Sequence, residues 1–417
     1  MASLLEVGVM FASIAAVGWV ADRLGQSVIP FYIVVGMIAS EFVVGRVDLP
    51  GAVAGVDIPA EIYVAETEFV ELGAELGIVF LLFFLGLEFN LDRLLARRKQ
   101  IGTAGTIDAL VNFPAGFVLG WLFFGAVLPA FLVAGIVYIS SSAIITKSLI
   151  DLGWIANDEA DPILGTLVYE DLLIAVYLAV TAALVLGGDD ASQAAQSVGI
   201  ALAFLLVLVA VVQFGTPAFE RLLATDTHEF LVLRAVGVAV LVAGIALALG
   251  VSEAVAAFFV GMGVSATEHV QQVEELLEPI RDLFAAVFFF WIGLVTDPLA
   301  VAGAAGLIAV AVLATTPTKI LSGYLGGRAF DLGPRRSART ALAMTTRGEF
   351  SLIIATLAVA GGAAGTIPQP VAEQISAFAV GYVLVMAVVG TTLMQYSGPF
   401  ESAVEKRLST STTGEGS

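Results

Sequence analysis

The stretch LVYEDLLIAVYLAV, residues 167–180, is an apolar run that two adjacent carboxylates, Glu170 and Asp171, interrupt. On a helix these neighbours point about 100° apart, so both side chains can border one cavity. Two ionised carboxylates in a low-dielectric interior repel each other, and each is stabilised there by a proton or a cation. Ionisable groups inside apolar segments are costly and usually functional when the segment spans a membrane. The stretch therefore raises the question of whether the whole chain is a membrane protein.

The composition answers that question. The chain has 417 residues, 59% of them hydrophobic, and its mean hydropathy is +0.98. Soluble domains contain about 45–50% apolar residues, and one spanning helix needs roughly 20 of them. The sequence therefore predicts an all-α protein that crosses the lipid bilayer many times.

The charge balance limits the partners and the chemistry. There are 37 acidic and 18 basic residues, for a net charge of −19, which argues against nucleic acid as a partner. An acidic, lysine-poor surface is typical of a high-salt cytoplasm, so we expect a halophilic source. The absence of cysteine excludes disulfides, thiol catalysis and iron–sulfur clusters. We expect no resident cofactor and no enzymatic activity.

The hydropathy pattern predicts about 13 transmembrane helices within one domain, residues 1–399, followed by a short, disordered cytoplasmic tail, residues 400–417. A charged stretch at residues 268–280, EHVQQVEELLEPI, is interpreted as a short amphipathic cytoplasmic linker. The predicted segments are 3–20, 28–45, 74–90, 101–124, 128–150, 162–187, 195–213, 229–249, 252–267, 280–296, 299–326, 338–362 and 371–396.

The distribution of basic residues predicts the orientation. Arginines and lysines concentrate in the loops that follow odd-numbered segments, whereas Arg46 is the only basic residue in the loops after even-numbered segments. Cytoplasmic loops carry the excess of Lys and Arg. We therefore expect a multi-pass protein of the cell membrane with its N-terminus outside and its C-terminus in the cytoplasm.

Polar clusters interrupt the fifth and the twelfth segments at matching places. Discontinuous helices in corresponding positions of two halves indicate a transporter's binding site. Because the two segments are seven apart, segments four to six and eleven to thirteen would form inverted-topology repeats with two crossed, discontinuous helices. The hydroxyl groups could instead form ordinary hydrogen bonds between helices. The clusters comprise Ser140, Ser141, Ser142, Thr146 and Lys147 in the first helix, and Thr345, Thr346, Arg347, Gly348 and Glu349 in the second.

Two expectations concern the charges near these breaks. Lys319, in the eleventh segment, is the candidate cation for the carboxylate pair, either in transport or in a purely structural salt bridge. The half-helix ends would carry partial charges, which Glu349 could offset at N-termini and Lys147 or Arg347 at C-termini. Asp108 and Glu253 lie nearer the ends of their segments and are interpreted as acids close to water.

Several stretches together resemble the monovalent cation:proton antiporter superfamily, in particular its second branch of Kef-type potassium/proton and sodium/proton antiporters. The resemblance covers nearly the whole chain. It rests on residues 80–94, 140–149, 169–176, 250–269, 288–294 and 347–353, which read FLLFFLGLEFNLDRL, SSSAIITKSL, YEDLLIAV, GVSEAVAAFFVGMGVSATEH, FFFWIGL and RGEFSLI.

The resemblance implies the sodium/proton antiporter fold and a homodimer. It implies that Asp171 carries the ion and the proton, that Glu170 occupies the variable position before it, and that Lys319 pairs with that variable acid. The family shows Asp-Asp, Gln-Asp or Asn-Asp where this chain has Glu-Asp, so the sequence leaves open whether Glu170 also titrates. Kef-type proteins often continue into a regulatory domain, so any regulation here would come from a separate cytoplasmic subunit.

The expected function is secondary antiport of protons against Na⁺ or K⁺ by alternating access, with proton and metal cation competing at Asp171. The alternative is a ligand-gated K⁺ efflux channel of the same fold. A membrane-embedded aspartyl protease is disfavoured because such enzymes place their two aspartates on different helices.

Overall fold

The computed structural model describes residues 4–46, 52–53, 56–57, 63–88, 97–186, 191–225, 227–249 and 253–402. A short 3₁₀ helix spans Val44–Arg46, and an antiparallel pair of two-residue strands, β1 (Ala52–Val53) and β2 (Val56–Asp57), follows it. The described helices are α1 (Leu4–Arg23), α2 (Val28–Ala39), α3 (Glu68–Glu88), α4 (Arg98–Phe124), α5 (Val127–Tyr138), α6 (Ser142–Asp151), α7 (Ala160–Leu186), α8 (Ala191–Phe214), α9 (Thr216–Leu223), α10 (His228–Ala248), α11 (Glu253–Ser265), α12 (Val270–Leu294), α13 (Pro298–Gly303), α14 (Ala305–Ala329), α15 (Pro334–Ala343), α16 (Glu349–Ala364) and α17 (Gln369–Gln395).

The predicted all-α membrane fold is confirmed, and each predicted segment corresponds to a helix or to a pair of consecutive helices. Within the described ranges, eight helices are individually long and apolar enough to cross a membrane. The end of α8 and helix α9 add a ninth candidate, a pair bent by 69°. The fifth and twelfth segments fall short of this length because each is divided into two helices, α5 with α6 and α15 with α16.

The chain forms two compact units. The first unit contains residues 1–90 and 178–302, and the second contains residues 91–177 and 303–417. Every predicted site residue belongs to the second unit, which also holds both divided helices. Helix α7 begins in the second unit and its last turns, from Leu178, belong to the first.

The first unit is built on close contacts between helix backbones. A Cβ atom at Gly86 of α3 would lie 2.1 Å from the carbonyl oxygen of Phe258 in α11. A Cβ atom at Gly261 of α11 would likewise lie 2.0 Å from the carbonyl oxygen of Phe83 in α3. Helices pack in lipid mainly by van der Waals contact, and small residues permit this approach. These two helices can therefore meet at this distance only because both positions are glycine.

The linker prediction for residues 268–280 is wrong. Helix α12 begins at Val270 and continues without interruption to Leu294, with Pro279 inside it. The charged stretch is the first half of this helix, and its apolar residues Val273 and Leu277 are buried. Because these residues are one turn apart on a helix, they form an apolar stripe that joins the stretch to the segment after it.

The predicted tail also begins too early. Residues 398–402 are helical, and Glu401 is only 3% exposed. The remainder of that tail, residues 403–417, lies outside the described residues, as do residues 89–94 and 250–252 of the stretches that carried the family resemblance.

Glu401 belongs to a cluster that we call the arginine clamp, formed by Glu159, Arg335, Arg339 and Glu401. Arg339 donates from Nη1 to Glu159 at 2.7 Å and from Nε to Glu401 at 2.7 Å. Arg335 also pairs with Glu401, and the guanidinium of Arg339 lies 4.9 Å from the ring centroid of Trp154. The clamp thus joins the loop before α7, helix α15 and the segment 398–402 that follows α17.

Loss of the Glu401 charge should destabilise the second unit. Burial alone would raise the pKa of Glu401, but hydrogen bonds from Arg339, Arg335 and Ser397 outweigh it and hold that pKa below its usual 4.5. For Glu401→Gln we expect a loss of roughly 1.5–3 kcal/mol near neutral pH, the range for hydrogen bonds to charged groups. Thermal unfolding of the purified protein in detergent measures the difference.

The contribution of Glu401 to stability should depend on pH. Because the folded-state pKa is lowered, the contribution of Glu401 is fully present above about pH 4.5 and is lost as the pH falls through the folded-state pKa. The gap between wild type and Glu401→Gln should therefore close in acid. Glu373→Gln, at an exposed position of α17, is the control and should leave the unfolding temperature unchanged. Equal unfolding temperatures for wild type and Glu401→Gln at neutral pH would contradict the prediction.

Candidate functional site

Lys319 lies at the centre of a buried polar cluster in the second unit. Its helix, α14, also contributes Ser322 one turn later. The ammonium nitrogen donates to Asp108 Oδ2 at 2.7 Å, to Glu170 Oε1 at 2.8 Å and to Ser140 Oγ at 3.1 Å. These contacts use all three N–H donors of the ammonium group. Its nitrogen also lies 5.1 Å from the ring centroid of the buried Tyr138, a favourable cation–π distance.

Glu170 faces the break in the first divided helix. Besides the contact with Lys319, its Oε2 accepts a hydrogen bond from the backbone N–H of Ser140 at 2.7 Å. Its Oε1 accepts a second bond from the Ser140 hydroxyl at 3.1 Å. Ser140 lies between the end of α5 at Tyr138 and the start of α6 at Ser142. Glu170 is therefore held by one ammonium, one backbone amide and one hydroxyl group.

Asp171 has a different environment from its neighbour. Its carboxylate is 4% exposed and accepts hydrogen bonds from the hydroxyl group of Ser142, at 3.0 Å to Oδ2 and 3.2 Å to Oδ1. Ser142 is the first residue of α6, where the positive end of the helix dipole favours negative charge. The adjacent acids thus share the N-terminal end of α6 but make different contacts there.

The two divided helices cross at their breaks. The hydroxyl of Ser351 in α16 donates to the carbonyl oxygen of Ile136 in α5 at 2.7 Å. The hydroxyl of Ser141 donates to Glu349 Oε2 at 2.7 Å. A Cβ atom at Gly348 would lie 2.4 Å from Ser141 Oγ, so the two breaks approach too closely for a larger residue.

Arg347 satisfies the C-terminal ends of two half-helices at this crossing. Its Nη1 donates to the carbonyl oxygens of Met344, Thr345 and Thr346 at 3.2, 3.0 and 2.8 Å, beyond the end of α15. Its Nε donates to the carbonyl oxygen of Val137, in the last turn of α5, at 3.0 Å. A cation at helix C-termini offsets their partial negative charge. Of the two residues expected in this role, the structure places Arg347 there and not Lys147.

Glu349 takes the complementary position. It is the first residue of α16, is 4% exposed and contacts Ser141, whose hydroxyl also accepts from the backbone N–H of Ile144 in α6 at 3.2 Å. A carboxylate near the first turns of both α6 and α16 offsets their positive ends. The crossing thus places Arg347 at the two C-terminal ends and Glu349 at the two N-terminal ends.

The remaining predicted residues contribute less to the cluster. Lys147 has a side chain that is 59% exposed and pairs with Asp151 at 3.3 Å, one turn along α6. Thr146 is half-buried on the same helix. Thr345 donates to the carbonyl oxygen of Leu342 at 2.7 Å. The hydroxyl group of Thr346 is buried and has no hydrogen-bond partner among the described residues.

The interpretation of Asp108 as an acid near water is wrong. Helix α4 begins at Arg98, so Asp108 lies ten residues inside it and is 1% exposed. Its Oδ1 accepts from Ser322 Oγ at 2.6 Å and from Asn112 Nδ2 at 2.9 Å, while Oδ2 contacts Lys319. The prediction missed Asp108, Asn112 and Ser322 as members of the cluster. The available signal was an acid and an amide at i and i+4 in an otherwise apolar span.

Comparison with known proteins agrees with this geometry. The family described as sodium/hydrogen exchanger, transmembrane, matches residues 9–396. The chain therefore belongs to this family of cation/proton antiporters, as the resemblance indicated.

Two curated relatives are similar over most of their length. The chain is 34% identical to the K(+)/H(+) antiporter subunit KhtU of Bacillus subtilis, over 94% of this chain and 93% of that protein. It is 30% identical to the ammonium/H(+) antiporter subunit AmhT of Alkalihalophilus pseudofirmus, over 79% of this chain and 81% of that protein.

A solved structure shows the same fold. The sodium proton antiporter MjNhaP1 from Methanocaldococcus jannaschii, at pH 8, superposes with a TM-score of 0.72 at 14% identity. The match covers 94% of this chain and 100% of that chain. The helical architecture is therefore that of a sodium/proton antiporter.

Proposed function

We propose that this protein is a secondary antiporter that exchanges protons for a monovalent cation, K⁺ or Na⁺, by alternating access. A proton and a metal cation would compete for the carboxylate of Asp171. The observation that carries the proposal is the buried Glu170–Asp171 pair at the N-terminal end of α6, where two divided helices cross. Such a site can bind either a proton or a metal cation, because each of them removes the energetic cost of a buried, uncompensated carboxylate.

The identity of the cation is argued from the relatives. KhtU is named as part of a K⁺/H⁺ antiporter and is similar over nearly its whole length, so K⁺ is the favoured cargo. Both KhtU and AmhT are named as subunits, in keeping with a separate cytoplasmic subunit for this protein too. The proposal includes a homodimer in the cell membrane, with the N-terminus outside and the C-terminus in the cytoplasm. It includes no enzymatic activity and no cofactor beyond the transported ions.

Reconstitution into liposomes tests the proposal. A pH gradient is imposed, a pH dye is trapped inside, and K⁺, Na⁺, Li⁺ or choline is then added while an ionophore clamps the membrane potential. We expect K⁺ or Na⁺ to collapse the gradient and choline to leave it intact. K⁺ conductance without any coupled proton movement would overturn antiport and favour the channel of the same fold.

A further inference from the structure

The ammonium group of Lys319 has two buried counter-charges. Asp108 and Glu170 contact it at 2.7 and 2.8 Å, and all three side chains are at most 1% exposed. One positive charge neutralises only one of two carboxylates, so the cluster contains a second acid that a simple Glu170–Lys319 pair does not need. A salt bridge between Glu170 and Lys319 therefore does not by itself explain the presence of Asp108.

Asp108 is organised to hold an ammonium group without help from Glu170. Its Oδ1 is occupied by Ser322 and Asn112, which leaves Oδ2 directed at Lys319. Ser322 and Lys319 lie one turn apart on α14, so the same helix supplies the ammonium and one donor to its counter-charge. Asn112 also carries a buried Oδ1 with no hydrogen-bond partner among the described residues. That oxygen is a further acceptor beside the carboxylate that Lys319 contacts.

The energetics explain what a second counter-charge provides. Removing one partner of a buried ion pair carries a large energetic penalty, because the remaining charge stays buried and uncompensated. If Glu170 were the only partner of Lys319, any cargo cation that drew Glu170 away would incur this penalty. With Asp108 in place, the ammonium keeps one full counter-charge when Glu170 turns aside.

We propose that Asp108, supported by Asn112 and Ser322, is a positioning residue that retains the Lys319 ammonium while Glu170 moves to the transported cation. Glu170 is then a cation ligand beside Asp171, and Asp108 acts on cation affinity through Lys319 without touching the cation. This inference rests on the proposed function. It adds a residue that sets the affinity of the site for K⁺ or Na⁺.

Asp108→Asn is the direct test. The amide has nearly the same shape but no charge, so Lys319 would depend on Glu170 alone and the cargo would compete with the ammonium. We expect the K⁺ or Na⁺ concentration for half-maximal exchange to rise about tenfold or more, where tenfold corresponds to about 1.4 kcal/mol. The maximal rate should change less. Asp108→Glu, which restores the charge, should recover most of the affinity.

Two further variants separate this role from a merely structural one. In a Lys319→Met background there is no ammonium to retain, so adding Asp108→Asn should give no additional shift in half-maximal concentration. Ser322→Ala keeps both charges and removes the 2.6 Å donor to Asp108. It should give a smaller shift in the same direction, and it provides the test if Asp108→Asn fails to fold. Asp161→Asn, at a 53% exposed position at the start of α7, is the matched control and should behave as wild type.

Direct binding distinguishes failure of this inference from failure of the proposed function. The readout is the K⁺ or Na⁺ concentration that half-maximally stabilises the purified protein against heat, with choline as the reference. Wild-type protein that exchanges protons, together with unchanged half-maximal concentrations in folded Asp108→Asn and Ser322→Ala, would overturn the inference alone. Wild-type protein that neither exchanges protons nor is stabilised by K⁺ or Na⁺ would overturn both.

Discussion

Replacement of Asp171 by asparagine is expected to reduce cation-driven proton exchange to the background of empty liposomes. Asparagine has nearly the same shape, and its carbonyl oxygen can still accept the hydrogen bond that Ser142 donates to Asp171 at 3.0 Å. It cannot bind and release a proton, and it carries no charge to attract a metal cation. The substitution should therefore remove the exchange chemistry while the fold is preserved.

The measurement for Asp171→Asn is dye-reported exchange in liposomes, with thermal unfolding as a check on folding. Asp161→Asn changes an aspartate on the same helix, ten residues earlier, whose side chain is exposed and pairs with Arg97. This control should exchange at the wild-type rate. Wild-type exchange in a folded Asp171→Asn protein would remove Asp171 from the mechanism and, with it, the central claim of the proposed function.

Replacement of Arg347 by methionine is expected to have the largest effect on stability. The guanidinium group is fully buried and donates to four backbone carbonyl oxygens at the C-terminal ends of two half-helices. Methionine would fill similar volume but leave these buried acceptors unsatisfied, and the partial negative charge of two helix C-termini would have no cation beside it. We expect a loss of at least roughly 3–5 kcal/mol, the cost of removing one partner from a buried charged network.

The yield of monodisperse protein on size exclusion and the unfolding temperature together report this loss. Arg347→Lys is informative because it keeps the charge, but an ammonium lacks the planar fork that reaches carbonyls on both helices. It should be intermediate between Arg347→Met and wild type. Arg23→Met, which removes an exposed arginine stacked on Trp19 in the first unit, is the control and should cost little. A wild-type unfolding temperature in Arg347→Met would show that the carbonyl contacts do not stabilise the crossing.

Much of the fold could be predicted because membrane helices are specified by local properties of the sequence. The apolar runs predicted the number and approximate positions of the spanning segments. Polar residues inside two of these runs predicted the breaks near Ser140 and Gly348. The amphipathic start of α12 was misjudged because charge was taken to end the span, although Val273 and Leu277 already follow the helical period. The exact helix ends also escaped prediction, since Glu401 is ordered by arginines more than sixty residues away in sequence.

The candidate site was less predictable because its contacts join distant parts of the chain. Lys319 could be recognised as the cation near the acids, but nothing local to Asp108 indicates that it lies beside a lysine 211 residues later. The choice between Lys147 and Arg347 at the half-helix ends was likewise decided by packing. Lys147 lies on the outer surface of α6, one turn from an acid that can pair with it, whereas Arg347 lies within the crossing itself.

The contact between Gly86 and Gly261 has a consequence for how this chain can vary. An added methyl group at either position would meet a carbonyl oxygen of the opposite backbone, not a side chain. A compensating replacement elsewhere can shrink a side chain, but it cannot shrink a main-chain atom. We therefore expect no second-site mutation to suppress the defect of a larger residue at Gly86 or Gly261. Most of a hydrophobic interior can change through successive small substitutions. These two positions cannot, because even the smallest larger side chain would collide with the opposite backbone.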